Sequence, residues 1–217
     1  MPLRDDQIRR YARQLVMRDF TGAAQECLLK SRVLVYGEGP PMDLCVLYLA
    51  AAGVGDIHLS GVRPSVLDLI WRAAALNPDC RVHEGGRGLR PDYVIDFAQD
   101  AGPGAARRAA GALRAGLPYL KVLRAAGAAI MKRWREGDPC PGCVLNAAGL
   151  KQTDLLNPGE TSVSGPAAAA FATLELAGLG VPTHNALLMD ADKGAYRELA
   201  ATPLPECIMC AELADGR

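Results

Sequence analysis

Four cysteines stand in two closely spaced pairs, and they carry the clearest chemistry in the sequence. Cys140 and Cys143 enclose a Pro-Gly dipeptide, and Cys207 and Cys210 enclose Ile-Met. A spacing of two residues lets both thiolates of a pair bind one ion across a tight turn, and two such pairs complete the tetrahedral set of sulfurs that zinc prefers. A closed set leaves no open position on the metal, so we predict a structural zinc site. Disulfides, isolated thiols and an iron–sulfur cluster are the alternatives that remain open.

A glycine pair after the first predicted strand is the second candidate. Gly37 and Gly39 lie between that strand and an apolar helix, where dinucleotide folds hold phosphate on backbone amides. Met42 stands in the position of the third glycine of such turns, and Pro40 and Pro41 remove two amide donors. A nucleotide site and a relic of one both fit this pattern.

Asp96 ends a third candidate segment, the apolar run Tyr-Val-Ile-Asp. Open α/β sheets bind ligands beyond the carboxyl ends of their strands, which is where this carboxylate is predicted to lie. A ligand-binding role and a loop-capping role are both compatible with that position.

The other thiols and the histidines show no motif. The thiols have no adjacent histidine, so we interpret them as buried core residues rather than as nucleophiles. The histidines are scattered, and none is paired with an acid at a motif spacing. These residues are Cys27, Cys45, Cys80, His58, His83 and His184.

Hydrophobic periodicity predicts one α/β domain over residues 1–217. N-terminal helices at 5–30 precede a Rossmann-like core at 31–135, whose sheet is mostly parallel with helices on both faces. The cysteine pairs at 140–143 and 207–210 follow, with a loop, a helix and a closing hairpin between them. The metal is expected to pin this C-terminal hairpin.

Three of the predicted helices have boundaries that the sequence defines. The first is predicted from Asp5 to Met17 and the second from about Asp43 to Ala52. The third, Ala167 to Ala177, is so poor in bulky side chains that it is expected to pack closely on a neighbour.

Composition excludes several classes of function. The chain has 24 basic and 24 acidic residues, which argues against a dominant role in binding nucleic acid or anionic membranes. No apolar run approaches the roughly 20 residues of a membrane span, and no signal-like segment follows the N-terminus. Seven cysteines, an odd number, fit metal ligands and core thiols better than a secreted disulfide framework. A cytoplasmic protein is therefore expected.

Several short segments recur in the order in which a known family carries them. Together they resemble the ThiF/MoeB/HesA family, the bacterial relatives of ubiquitin-activating enzymes, from about Arg9 to Cys210. Besides the two cysteine pairs, the segments are Arg10-Tyr11-Ala12-Arg13-Gln14, Gln25-Glu26, Ser31-Arg32-Val33-Leu34-Val35, Tyr48-Leu49-Ala50-Ala51-Ala52-Gly53-Val54-Gly55, Leu76-Asn77-Pro78, Val94-Ile95-Asp96 and Leu187-Leu188-Met189-Asp190.

The resemblance implies a specific chemistry. Family members use ATP and magnesium to adenylate the C-terminal glycine of a small ubiquitin-fold carrier, and a thiocarboxylate or thioester often follows. By this resemblance Gly37, Gly39 and Asp96 belong to a nucleotide site, in which Asp96 is also a candidate catalytic residue. Arg13 is similar to the arginine that reaches across a dimer interface to the partner's ATP.

Other family positions are changed in this sequence. Ser60 and Gly61 stand where an acidic residue holds the ribose, and Ser65 stands where a lysine binds phosphate. Gln99 replaces the second, metal-binding carboxylate of the D-x-x-D element, with Asp100 one place later. The loop in which the family carries an Asn and an Arg-Gln pair has no counterpart here, and the usual crossover-loop cysteine is missing.

These changes predict a divergent member with weak or no adenylation activity, in which ATP and magnesium binding is doubtful. We expect it to serve as a partner subunit, or as a subunit that binds a carrier or peptide. A homodimer or a heterodimer with a relative is expected, with Arg13 acting in trans. The alternatives are an active adenylyltransferase with unconventional residues and a zinc-stabilised binder of a peptide or small metabolite.

Overall fold

The computed structural model describes residues 2–61, 66–86, 88–125, 127–156, 163–180, 185–190 and 193–214. No helix in these ranges is long and apolar enough to cross a membrane. A short 3-10 helix covers Gln152–Leu156. The remaining elements in chain order are α1 (Asp5–Arg10), α2 (Ala12–Leu15), α3 (Gly22–Lys30), β1 (Arg32–Tyr36), α4 (Pro40–Ala52), β2 (Asp56–Ser60), α5 (Leu67–Leu76), β3 (Arg81–Glu84), β4 (Tyr93–Asp96), α6 (Pro103–Arg114), β5 (Tyr119–Ala125), β6 (Ala128–Trp134), α7 (Pro141–Ala147), α8 (Ser164–Leu176), β7 (Ala186–Asp190), β8 (Ala195–Leu199) and α9 (Ile208–Ala214).

Backbone contacts group the chain into two compact units. The first contains residues 1–93 and 165–182, and the second contains residues 94–164 and 183–217. The single domain over 1–217 stays a prediction, and each unit is described by itself.

The first unit is built on three parallel strands in the order β3-β2-β1. Val33 lies opposite Ile57, and Ile57 lies opposite Val82, so one face of this ladder is apolar and buried. The connection from β1 to β2 is α4, which buries seven of its thirteen residues and leaves Tyr48 and Ala51 exposed on one face.

The N-terminal helix is shorter than predicted and is interrupted. It ends at Arg10 and resumes as α2, which ends at Leu15. Tyr11 lies at the break because its ring is buried and its hydroxyl accepts a hydrogen bond from Asn77 Nδ2 at 2.9 Å. A contact between residues 66 positions apart decides this boundary, so local periodicity could not reveal it.

The second helix begins earlier than predicted, at Pro40 instead of Asp43. Proline suits the first turn of a helix because amide hydrogens there have no partner within the helix. Gly39 precedes the helix with a φ of 92°, a left-handed conformation that favours glycine.

The helix predicted at 167–177 is α8, and its close packing is confirmed. A Cβ atom placed on Gly165 would lie 2.0 Å from the Pro41 carbonyl oxygen and 3.1 Å from the Cys45 amide nitrogen. The absence of a side chain at Gly165 therefore lets α8 approach the first turn of α4.

The second unit begins with β4 and β5, which are parallel, and continues with β6, β7 and β8, which are antiparallel. All seven residues of β5 are buried. The last two strands form the predicted closing hairpin, with Ala186 opposite Leu199.

Of the eight strands in the described residues, five, β1 to β5, lie in parallel ladders joined by helices. The predicted Rossmann-like α/β fold with a mostly parallel sheet is confirmed.

Candidate functional site

The four paired cysteines come together in the second unit. Cys140 immediately precedes α7, and Cys207 immediately precedes α9. The Sγ atoms of Cys140 and Cys207 are 3.7 Å apart, and those of Cys143 and Cys210 are 3.6 Å apart. A zinc ion bound by four sulfurs at about 2.3 Å separates neighbouring sulfurs by about 3.8 Å. A disulfide would require about 2.05 Å, and all four thiols are free.

Backbone amides support these sulfurs. The Cys140 amide donates to Cys210 Sγ at 3.2 Å, and the Leu204 amide donates to Cys143 Sγ at 3.2 Å. Burial raises the pKa of the Cys140 thiol and raises that of Cys210 to about 11, so a cation is needed to keep all four sulfurs ionised. The cluster therefore fits a bound metal ion such as zinc.

The remaining thiols divide into two environments. Cys45 and Cys80 are buried, and burial raises the pKa of Cys80 to about 12, so neither is a reactive thiolate. The prediction of a buried thiol is wrong for Cys27, which is exposed on α3. Helical spacing turns this side chain away from the buried face that includes Leu28.

The glycine turn of the first unit is closed by its own backbone. The Gly37 amide donates to the Ser60 carbonyl at 3.0 Å. A Cβ atom on Gly61 would lie 2.5 Å from the Gly37 carbonyl oxygen. Gly61, the residue directly after β2, thus packs on the turn that follows β1. Pro40 and Pro41 occupy the first turn of α4, so two of its four free amide donors are missing.

Asp96, in the second unit, is fully buried and accepts four hydrogen bonds. Its Oδ1 accepts from the Ala98 amide at 2.8 Å and lies 3.1 Å from Lys121 Nζ. Its Oδ2 accepts from Arg108 Nε at 2.7 Å and from the Tyr119 hydroxyl at 2.5 Å. A carboxylate has about four lone-pair sites, so this set saturates it. The contact with Ala98 is the loop-capping geometry that the sequence left open.

The charges in this cluster balance. Burial raises the pKa of Asp96, but Lys121 and Arg108 outweigh it and hold the pKa below the ordinary value. Burial lowers the pKa of Lys121, opposed by Asp96 and then by Asp100. Two carboxylates and two basic groups therefore neutralise one another in a site whose inner pair, Asp96 and Lys121, is fully buried.

Gln99 and Asp100 are also engaged. Gln99 Nε2 donates to the Phe97 carbonyl at 2.6 Å, and its Oε1 accepts from the Arg124 amide at 2.9 Å. Asp100 Oδ1 accepts from Arg108 and lies 3.4 Å from Lys121 Nζ. Through these contacts both side chains stabilise the loop after β4.

Arg13 lies on α2 in the first unit and is exposed. Among the described residues no carboxylate pairs with it. Asp6, a candidate partner at the surface, pairs instead with Arg4 at 3.0 Å. The guanidinium is therefore open to solvent.

Strand register brings together residues that the sequence analysis treated as unrelated. His58 lies opposite His83 on β2 and β3, and their rings stack with centroids 4.7 Å apart. His83 Nε2 lies 3.1 Å from Asp56 Oδ1. The interpretation of these histidines as scattered is wrong, because register is not visible in one strand at a time. His184 and Ser65 fall outside the described residues.

No family model matches the chain. The molybdopterin-synthase adenylyltransferase of Escherichia coli (strain K12) is 28% identical over 249 aligned residues, covering 97% of this chain and 99% of that protein. The sulfur carrier protein ThiS adenylyltransferase of the same strain is 26% identical over 251 residues, covering 96% and 97%. Among solved structures, E. coli MccB with selenomethionine MccA has a TM-score of 0.69 at 16% identity, covering 93% of this chain and 74% of that one.

Two adenylyltransferases are matched over nearly their whole length. The chain is therefore similar to adenylyltransferases of the ThiF/MoeB type, at identities below 30%. The likeness to MccB concerns the fold alone. Both alignments are longer than the 217 residues of this chain, so these ThiF/MoeB relatives carry segments that have no counterpart in it.

The neutralising residues around Asp96 were missed by sequence reasoning. They lie outside the segments that carry the resemblance to the ThiF/MoeB/HesA family. One feature of the sequence nevertheless pointed to them. Lys121 stands in the middle of the apolar run Tyr-Leu-Lys-Val-Leu, and a charge in a buried strand requires a partner. Arg108 gave no such signal, because α6 carries several arginines.

Proposed function

We propose that this protein is a metal-stabilised ThiF/MoeB-type subunit whose own adenylation centre is inactive or weak. In this proposal it acts as a partner subunit, or binds a ubiquitin-fold carrier or a peptide. The relatives are named as adenylyltransferases, one of them for the sulfur carrier ThiS, and a fold neighbour was solved with MccA. Those names supply the classes of partner that we propose.

The saturation of Asp96 carries the proposal. By the family resemblance this carboxylate belongs to the nucleotide site, and a carboxylate can contact the magnesium of a bound nucleotide only through oxygens that are free to coordinate it. Here both oxygens already accept two hydrogen bonds, two of the donors are cations, and the side chain is fully buried. Magnesium would have to displace Lys121 or Arg108 and leave a positive charge buried without its partner.

The glycine turn supports the same proposal independently. Adenylation depends on positive charge and amide donors around the phosphates. Pro40 and Pro41 remove two donors from the first turn of α4, and Gly61 packs against the carbonyl of Gly37. These features reduce the capacity of the turn to hold phosphate.

The metal has a structural role in this proposal. Cys140, Cys143, Cys207 and Cys210 would supply all four ligands of a zinc ion, which joins the start of α7 to the start of α9. No ligand position remains for a substrate, so the ion stabilises the second unit without taking part in a reaction.

Calorimetry with ATP and magnesium tests the proposal, with the E. coli molybdopterin-synthase adenylyltransferase measured in parallel as a positive control. We expect no saturable heat at ATP concentrations that saturate the control, and no pyrophosphate exchange with a ubiquitin-fold carrier. Submicromolar ATP affinity, or exchange driven by any carrier, would favour the second candidate, an active adenylyltransferase. The nearly full-length match to two adenylyltransferases is the observation that keeps this candidate open.

A further inference from the structure

A second group of metal-ligating side chains lies in the first unit, on the parallel strands β2 and β3. Asp56 and His58 are two positions apart and therefore point to the same face of the ladder. On the next strand His83 lies opposite His58. One candidate ligand atom from each of the three residues lies within 4.8 Å of the others.

The hydrogen bond of His58 favours the ring tautomer that can bind a metal. Nδ1 lies 3.3 Å from the Gly85 carbonyl oxygen, which can only accept. This contact favours the proton on Nδ1, which leaves the lone pair of Nε2 available. Metal-bound histidines commonly donate their second ring nitrogen to a carbonyl or carboxylate in this way.

Asp56 and His83 already have the spacing of two neighbouring metal ligands. Their Oδ1 and Nε2 atoms are 3.1 Å apart. Ligands at about 2.0–2.1 Å from one ion, at angles between 90° and 109°, are separated by about 2.9–3.4 Å. Burial raises the pKa of Asp56, but Arg81 and His83 outweigh it, so the carboxylate remains ionised.

We propose that Asp56, His58 and His83 form a second metal site, which binds a divalent transition-metal ion such as Ni²⁺ or Zn²⁺. Two imidazoles and one carboxylate suit these ions, whereas Mg²⁺ and Ca²⁺ prefer sites made of oxygen alone. His58 supplies Nε2 while its Nδ1 keeps the contact with Gly85, and water completes the coordination because the cluster is only partly buried. The site has no sulfur ligand and is distinct from the four-cysteine cluster.

Arg81 places a positive charge beside the proposed site, and its effect on metal affinity can be tested. Its guanidinium donates to both oxygens of Asp56 at 2.9 Å, which orients the carboxylate but adds a positive charge beside the ion. Removing Arg81 should therefore strengthen metal binding. A group that serves only as an ion pair between two strands would show no such gain.

The experiment is a calorimetric titration of Ni²⁺ into protein whose cysteine cluster is already loaded with zinc. We expect one additional metal per chain. His58→Ala, His83→Ala and Asp56→Asn should each weaken this binding roughly tenfold or more, because each removes one of three ligands. Arg81→Ala should tighten it by about threefold or more. Glu84→Gln is the control, since Glu84 is exposed on β3 and alternates to the opposite face.

Nickel also broadens the nuclear magnetic resonance signals of nearby imidazoles, so the unaltered protein provides a second measurement. We expect the ring signals of His58 and His83 to broaden first as Ni²⁺ is added. The proposal is overturned if zinc-loaded protein takes up no Ni²⁺. It is also overturned if the double variant of His58 and His83 binds with unchanged affinity, or if both rings keep their line widths.

Discussion

The Lys121–Asp96 pair is the least replaceable interaction at the candidate nucleotide position. Both side chains are fully buried and lie 3.1 Å apart. Lys121→Met should lower the free energy of unfolding by about 3–5 kcal/mol, because it leaves part of a buried carboxylate's charge unbalanced. Urea denaturation measures the loss.

Two further variants test whether that loss comes from the direct coupling of Lys121 with Asp96. Lys193→Met breaks an exposed pair with Asp190 and should cost about 1 kcal/mol or less. Combining Lys121→Met with Asp96→Asn should cost less than the sum of the two single changes, because the second change removes the unbalanced charge. Strict additivity would contradict the direct coupling described here.

Asp96 also predicts how stability depends on pH. Its pKa in the fold is below the ordinary 3.8, so its ionised form is stabilised by folding. That contribution is fully present above about pH 4 and is lost as the pH falls through the lower, folded-state pKa. As the pH falls below 4, the free energy of unfolding should therefore decrease less for the Asp96→Asn variant than for the unaltered protein. Urea denaturation midpoints of both proteins at several acid pH values test this prediction. Equal decreases for the two proteins would refute it.

The contact between α8 and α4 predicts opposite effects for two helical glycines. Gly165→Ala places a methyl group 2.0 Å from the Pro41 carbonyl and should destabilise the protein by about 2 kcal/mol or more. Gly111→Ala, in α6, meets no atom within 4 Å and should stabilise it by about 0.4–1 kcal/mol. Thermal unfolding of the two variants separates close packing from helix propensity. Equal effects would show that the helices are not in contact.

Features set by local pattern were predictable from the sequence. Strand β1 follows directly from its apolar run, and the two-residue cysteine spacing predicted that the four sulfurs lie together. The break at Tyr11 was not predictable, because it depends on buried Asn77 from another element. The pairing of His58 with His83 likewise depends on the register between two strands. Long-range contacts of this kind leave no periodic signal.

The cysteine cluster should control the stability of the protein as a whole. Purified protein is expected to carry about one zinc per chain with sulfur ligands at roughly 2.3 Å. Cys143→Ser or a strong chelator should lower the melting temperature, because metal binding free energy contributes to folding. Cys27→Ser is the matched control, since that thiol is exposed and outside the cluster. Elemental analysis showing no zinc, or an iron–sulfur absorption spectrum, would contradict the assignment.

Assembly is the second property of the whole protein that the proposal predicts. We expect a homodimer or a complex with an active relative, detectable by light scattering and by co-purification. In such a complex Arg13→Ala should leave association intact but slow the partner's adenylation by roughly a thousandfold, because an arginine supplied in trans stabilises charge on the reacting phosphate. Arg18→Ala, another exposed arginine nearby in sequence, is the control. A monomer that binds no relative would refute this prediction.

The four-cysteine cluster also has a consequence for the order in which the chain folds. It joins Cys140 to Cys207, which are 67 residues apart, whereas the ladder of β5 and β6 closes within a short turn. Closing a long loop costs more entropy than closing a short one, so the sulfurs should meet only after the strands have paired. An interaction formed that late stabilises the native state but not the transition state. Stripping the metal should therefore speed unfolding while the refolding rate stays nearly constant, which stopped-flow measurements on the two forms can determine.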